Sequence, residues 1–250
     1  MPNVSVPNPL EPLPEDWRQG LAVVAHPDDL EYGAAAAVAR WTGQDKSVAY
    51  ALVTSGEAGI DGMPPDQTRR VREEEQRASA AVVGVDSVEF LGQRDGVLEY
   101  GVPLREVIAR VIRRHRPEIV LTNNFHDTWD GDIALNQADH IATGRATLDA
   151  IRDAGNRWVF PELLDEGLEP WSGVRQLWSA GSPAARHGVD VTGTFDRGVA
   201  SLRAHEAYLR GLGPNAPDPE EFLESMARPA GTRLACRYAV AFEMLHFDLF

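Results

Sequence analysis

Two rhythms of apolar residues alternate along this chain. Compact apolar runs stand at residues 21–25, 47–54, 87–91 and 118–122, rich in β-branched residues and short enough to be buried strands. Between them the spacing turns helical. Residues 31–41 are Ala-rich, and Ala is the best helix former. Residues 66–83 carry charged and small residues at helical intervals and end at Gly84, a natural C-cap. Residues 103–115 open on Pro103 and place Val107, Ile108, Val111 and Ile112 on one face. Residues 138–152 form a fourth helical stretch. Strand and helix thus alternate from residue 21 to about 153, which predicts a Rossmann-like three-layer α/β/α fold with a mostly parallel sheet.

Beyond residue 153 the pattern weakens. Residues 174–180 and 188–191 read as further strands, 195–210 as one helix, and 211–219 as a Gly/Pro-rich loop before two more helical stretches. The expected organisation is an extended N-terminal arm over 1–20 and a single α/β domain over 21–250. The first fourteen residues lack the basic and apolar regions of a signal peptide, so the arm is expected to lie on the domain or on a partner subunit.

Composition narrows the function. The apolar share of 43% supports an ordinary core, and no run approaches the ~20 residues that cross a membrane. A net charge of −14 argues against nucleic acid as a partner, because phosphate binding needs clustered Lys and Arg. Arg69, Arg70, Arg72 and the basic run at 113–116 read as solvated helix faces. Cys236 is the only cysteine, which excludes an internal disulfide and fits a cytoplasmic protein; its apolar surroundings predict a buried structural thiol. Trp158, Trp171 and Trp178 are expected to pack in the second half.

The chemistry concentrates where open parallel sheets place their sites, at the carboxyl ends of strands. The first strand runs into His26-Pro27-Asp28-Asp29-Leu30-Glu31. Adjacent carboxylates repel, and burying them without a counter-charge is costly. A cation relieves that cost, and imidazole nitrogen with carboxylate oxygen suits zinc. The competing reading makes Asp28 or Asp29 a cap on the following helix. A second polar cluster follows the fourth strand: Asn123, Asn124, His126, Asp127, Asp130 and Asp132, then Asn136, Gln137, Asp139 and His140. His26, Asp29 and His140 together give two nitrogens and one oxygen, the ligand set of a catalytic zinc with an open position.

These residues resemble the PIG-L / LmbE-like zinc-dependent N-deacetylases. The signature AHPDDxE stands complete at 25–31. The likeness extends over Thr54-Ser55-Gly56-Glu57, the helix from Arg72 to Gly84, Asp95-Gly96, Asp139-His140 and Leu202-Arg203-Ala204-His205. The resemblance implies one zinc ion per chain on His26, Asp29 and His140, with another divalent metal able to replace it. It implies Asp28 as the general base that activates water, and Arg72 and Asp95 near the hydroxyl groups of the substrate. One position departs: relatives often carry His-Pro-Asp-His where this chain has Gln137-Ala138-Asp139-His140. Gln137 can donate to an oxyanion but cannot protonate a leaving amine, so Asp28 serves as both base and acid, or His126 leans in. Asp139 is expected to orient His140 or Asp28, Trp129 to stack on a sugar ring, and the Gly-rich stretch 56–67 to border the site as a flap or as a plain connection.

The expected activity is therefore hydrolysis of an N-acetyl or other N-acyl group from an amino sugar or related small molecule. The alternatives are an amidase acting on a non-sugar N-acyl substrate, another hydrolase on the same metal, and a non-catalytic metal-site binding protein. A nucleotide-binding Rossmann protein is disfavoured, because no Gly-rich loop follows the first strand. A homo-oligomer is left open.

Overall fold

The computed structural model describes residues 8–129 and 134–247. Among these, eight strands form one sheet in the order β1-β7-β8-β6-β5-β2-β3-β4. The strands are β1 (Glu11–Pro12), β2 (Gln19–Val24), β3 (Ser47–Thr54), β4 (Ser87–Gln93), β5 (Ile119–Asn123), β6 (Gln176–Ala180), β7 (His187–Asp190) and β8 (Ala239–His246). All pairings are parallel except those of β8, which runs antiparallel to both β6 and β7. The helices are α1 (Asp29–Gly33), α2 (Ala35–Thr42), α3 (Pro65–Val82), α4 (Val102–His115), α5 (Ala138–Gly155), α6 (Glu162–Asp165), α7 (Phe195–Arg203), α8 (Glu206–Gly211) and α9 (Pro219–Leu234). None is long and apolar enough to cross a membrane.

The central strands are buried on both sides, yet their residues still alternate. In β2 and β3, Ala22, Val24, Val48, Tyr50 and Leu52 face one core with α2, α7 and α9. Leu21, Val23, Ala49, Ala51 and Val53 face the other, with α4 and α5. This is the expected three-layer α/β/α arrangement, produced by the period-2 geometry of strands covered on both faces.

Several local expectations change. Residues 31–41 are not one helix: the chain is already helical at Asp29 and breaks at Ala34, just after Gly33. Residues 195–210 also divide, at Ala204–His205, where the chain turns to bury His205 against α1. Of the two helical stretches expected last, the second is β8; the helix before it stops at Ala235, which adopts a left-handed φ of 58°. The partners of β8 lie about 60 residues upstream, beyond any local periodicity. Part of the N-terminal arm is structured: β1 adds to the sheet edge, and Glu15 accepts bonds from Arg40 and Trp41 of α2.

Two arginines expected on solvated faces are buried. Arg113 donates to the Ala154, Asn156 and Val159 carbonyls, and Arg72 points into the site described below. Trp178 is fully buried and Trp171 half-buried, but Trp158 is 78% exposed and packs into no core. Cys236 is half-buried, with its thiol against the Tyr238 carbonyl.

Candidate metal centre

Strand order reverses between β2 and β5: the chain moves from β2 to β3 and β4 on one side, and from β5 to β6 on the other. A crevice forms at such a switch point, outside the carboxyl ends of the two strands. The loop after β2 carries His26, Asp28 and Asp29 into it, and α5, the helix following β5, carries His140.

The three expected ligands meet there. One donor atom from each of His26, Asp29 and His140 lies within 4.8 Å of the others, and all three side chains are buried. The Asp29 carboxylate lies between the rings, with Oδ1 3.0 Å from His140 Nε2 and Oδ2 3.7 Å from His26 Nδ1. Each imidazole uses its other nitrogen on a protein partner. Asn136 Oδ1 stands 3.0 Å from His140 Nδ1, and Asp95 and Asp139 stand 3.1 and 3.3 Å from His26 Nε2. With an ion bound, these partners would fix the tautomers and leave His26 Nδ1 and His140 Nε2, the nitrogens turned towards Asp29, free to act as ligands. A second trio, His26, Asp95 and Asp139, also has cation-like spacing. Its carboxylates, however, already accept from the Ala58, Gly96 and Leu98 amides, so they serve as supports for His26.

Electrostatics supports a cation at this point. Burial disfavours charge on His26, but the Asp139, Asp29 and Asp95 carboxylates outweigh it and push the imidazole up to about 12. Burial would likewise raise Asp29, yet His140 and His26 hold it well below the usual carboxylate range. Positive charge is thus demanded among these groups, and two nitrogens with one carboxylate oxygen suit a divalent ion of the zinc class.

Asp28 is buried beside this trio. Its backbone takes a left-handed φ of 87° and offers no side-chain cap to the helix, which removes the helix-cap reading for it. Such a conformation costs about 1–3 kcal/mol unless the surroundings impose it. Gln76 Oε1 accepts the Asp28 amide at 3.0 Å, and Arg72 Nη2 lies 3.0 Å from Asp28 Oδ2 while also donating to the Pro27 carbonyl. The Tyr208 hydroxyl faces the carboxylate, and the Tyr208 ring lies 4.4 Å from the Arg72 guanidinium carbon. Burial lifts Asp28 to about 6, opposed by Arg72 and assisted by the Asp29 charge. Behind it runs a buried polar layer: Gln76 and Ser79 donate to Glu31, and His205 Nε2 stands 3.7 Å from Glu31 Oε2.

The remaining expected residues are placed as follows. Arg72 and Asp95 border the cavity, but their charged ends meet protein partners, Asp28 and His26, which are their nearest charged neighbours. Gln137 is exposed at the N-cap position of α5 and lines the cavity. Trp129 meets the His140 ring edge-on at 6.1 Å and also lines the cavity. Asp139 supports His26, not His140 or Asp28, because α5 aims it at the Gly96 loop. His126 turns away from the site to Glu243, 2.7 Å distant. Asp130 and Asp132 lie outside the described residues. In the stretch 56–67, Ala58 is tied to Asp95 and Gly56 to Arg72, and Ala58 and Gly59 border the cavity. Gln76 and Tyr208 were not singled out by sequence reading, and Asn136 was named only as a member of the second polar cluster, with no role. Only Asn136, four residues before His140 at a helix start, carried a positional signal.

The chain is similar to the diacetylchitobiose deacetylase of Thermococcus kodakarensis, 28% identical over 78% of this chain and 71% of that one. It is similar to a probable N-acetyl-alpha-D-glucosaminyl L-malate deacetylase 2 of Bacillus anthracis, 31% identical over 54% of this chain and 59% of that one. Among solved structures, the N,N'-diacetylchitobiose deacetylase of Pyrococcus horikoshii shares the fold, with a TM-score of 0.82, 23% identity and coverage of 93% and 85%. The family described as PIG-L, GlcNAc-PI de-N-acetylase, matches residues 21–151, slightly more than half of the sequence, and the chain belongs to that family.

Proposed function

We propose that this chain is a divalent-metal-dependent hydrolase that removes an acyl group from an amide nitrogen of a small molecule, with an N-acyl amino sugar as the favoured substrate class. The observation that carries this reading is a buried carboxylate, Asp28, set beside a compact His26–Asp29–His140 donor trio at the sheet's switch point. Named deacetylases among the relatives support it.

His26, Asp29 and His140 would hold one ion, zinc fitting the donor set best. When bound, the ion acts as a Lewis acid on the carbonyl oxygen and makes nearby water more acidic. Asp28 accepts the proton of the attacking water. A base lifted towards the working pH is well matched to that task, and Arg72 and Tyr208 keep the carboxylate aimed. Gln137 donates to the oxygen that gains charge as the carbonyl carbon becomes tetrahedral. Because the Gln137 amide cannot act as an acid and His126 faces Glu243, Asp28 returns its proton to the leaving nitrogen. Trp129 offers a ring face to the amine half of the substrate, while Arg72 and Asp95 act through Asp28 and His26.

Asp28→Asn tests the assignment. The variant should keep its metal and lose about a hundredfold or more in kcat on N-acetylglucosamine derivatives, the usual scale of general acid–base catalysis. Near-full activity would remove Asp28 from the mechanism. A panel of N-acyl sugars against N-acyl amino acids separates the sugar reading from a non-sugar amidase.

A further inference from the structure

The cavity at the metal centre extends well beyond it. It encloses about 1280 Å3, more than the ~300–1000 Å3 of ordinary small-molecule sites. Its carboxylates and imidazoles, among them His26, Asp28, Asp29, Asp95 and His140, gather around the donor trio, while Ser182, Ser225 and Thr232 are the polar residues that line the far part with Arg233. From the trio the cavity runs along Gly33, Ala35, Ala36, Ala180 and Gly181, with Gly33 packed so closely on Ala180 that an added Cβ would lie 3.4 Å from the Ala180 Cβ. These wall residues carry nothing larger than a methyl group. The space continues between α9 and the sheet, along Phe195, Phe222, Leu223, Met226, Val240 and Ala241. Arg233 also lines this lobe, but its guanidinium donates to the Asn8 and Ala185 carbonyls.

We infer that this lobe receives the acyl chain of the substrate, so that the amide cleaved carries an unbranched aliphatic acyl group longer than acetyl. The inference rests on the deacylase reading above. The reacting carbonyl must lie at the His26–Asp29–His140 trio, and the two halves of the substrate leave it in different directions. The amine half is polar and fits the wet mouth bordered by exposed Gln137 and half-buried Trp129. The carbon half fits the lobe roofed by α9, whose walls offer hydrocarbon contact. Each methylene taken from water into such a lobe strengthens binding by up to about fourfold. Hydrolysis breaks the C–N bond, adds water across it, and releases an aliphatic carboxylate and a free amine, so the carboxylate product is itself a probe of the lobe.

The test is calorimetric titration of the purified full-length protein with sodium acetate, butyrate and octanoate, and with n-octyl glucosaminide. Two variants accompany it, Met226→Glu and Leu223→Trp, on the lobe wall away from the metal centre. Met226 is 44% exposed and Leu223 half-buried, so both variants should melt near the wild-type temperature. Octanoate should bind at least about tenfold more tightly than acetate. The advantage should disappear in the folded variants while acetate binding stays unchanged. Three results would overturn the proposal: octanoate no tighter than acetate, an octanoate advantage that survives both variants, or a larger gain for octyl glucosaminide than for octanoate, which would put the lobe on the amine side. If octanoate behaves as expected but no N-acyl sugar or amino acid is hydrolysed, the aliphatic carboxylate site stands and the deacylase reading fails.

Discussion

Asp28 combines three features that ordinary folding disfavours: a left-handed backbone, a buried charge and a neighbouring carboxylate. Each has a specific support, Gln76 for the amide, Arg72 for the charge and Tyr208 for the carboxylate. Tyr208→Phe removes only the hydroxyl and leaves the ring beneath Arg72. It should lower kcat about tenfold, the scale of a hydrogen bond to a charged group, with KM and metal content unchanged; steady-state kinetics with metal analysis checks this. Gln76→Leu should act on stability as well. It leaves the Asp28 amide and one side of Glu31 without partners, at a cost of about 1–3 kcal/mol by denaturant unfolding. The proposed ligands and base were legible as candidates in the sequence because they stand in one continuous motif plus one Asp-His pair. Gln76 and Tyr208 were not, since each reaches Asp28 across a long gap in the chain and neither is a residue type that announces chemistry.

At the scale of elements, close approach and clamping decide the geometry. A Cβ on Gly144 of α5 would lie 2.4 Å from the Phe125 Cβ, so the helix that carries His140 sits against the loop after β5 because residue 144 has no side chain. Gly144→Ala should therefore push α5 outward, costing about 1–3 kcal/mol in thermal unfolding and weakening metal retention through His140. The arm is clamped by Glu15, which accepts from Arg40, Trp41 and Gln44. Burial raises the Glu15 pKa, but Arg40 and its neighbours outweigh burial and hold it below the ordinary 4.5. A depressed carboxylate contributes stability above its unfolded pKa and loses it as pH falls through the folded value. Glu15→Gln should thus cost about 1 kcal/mol at neutral pH, allowing for solvent screening, and the difference from wild type should shrink as pH drops below 4.5. Sequence periodicity served best where a whole element is periodic, as in α3 and α4. It failed at α1–α2 and α7–α8, where one buried site residue or one glycine interrupts an otherwise helical run.

For the whole molecule, the parallel alternation of the first half builds the crevice, and the less regular second half builds what surrounds it. Strand β8 is inserted antiparallel between β6 and β7, and α9 lies over it to roof the apolar lobe. That half was the least legible in the sequence, because its strands find partners only after the rest of the sheet exists. The central claim, that two segments more than a hundred residues apart meet at one divalent ion, is tested most directly by elemental analysis of the purified protein beside His140→Ala. The account predicts about one divalent ion per chain, zinc first among them, retained in Asp28→Asn and lost in His140→Ala. Wild-type protein that carries no ion and takes up none on addition, or a His140→Ala variant that keeps a full complement, would contradict it.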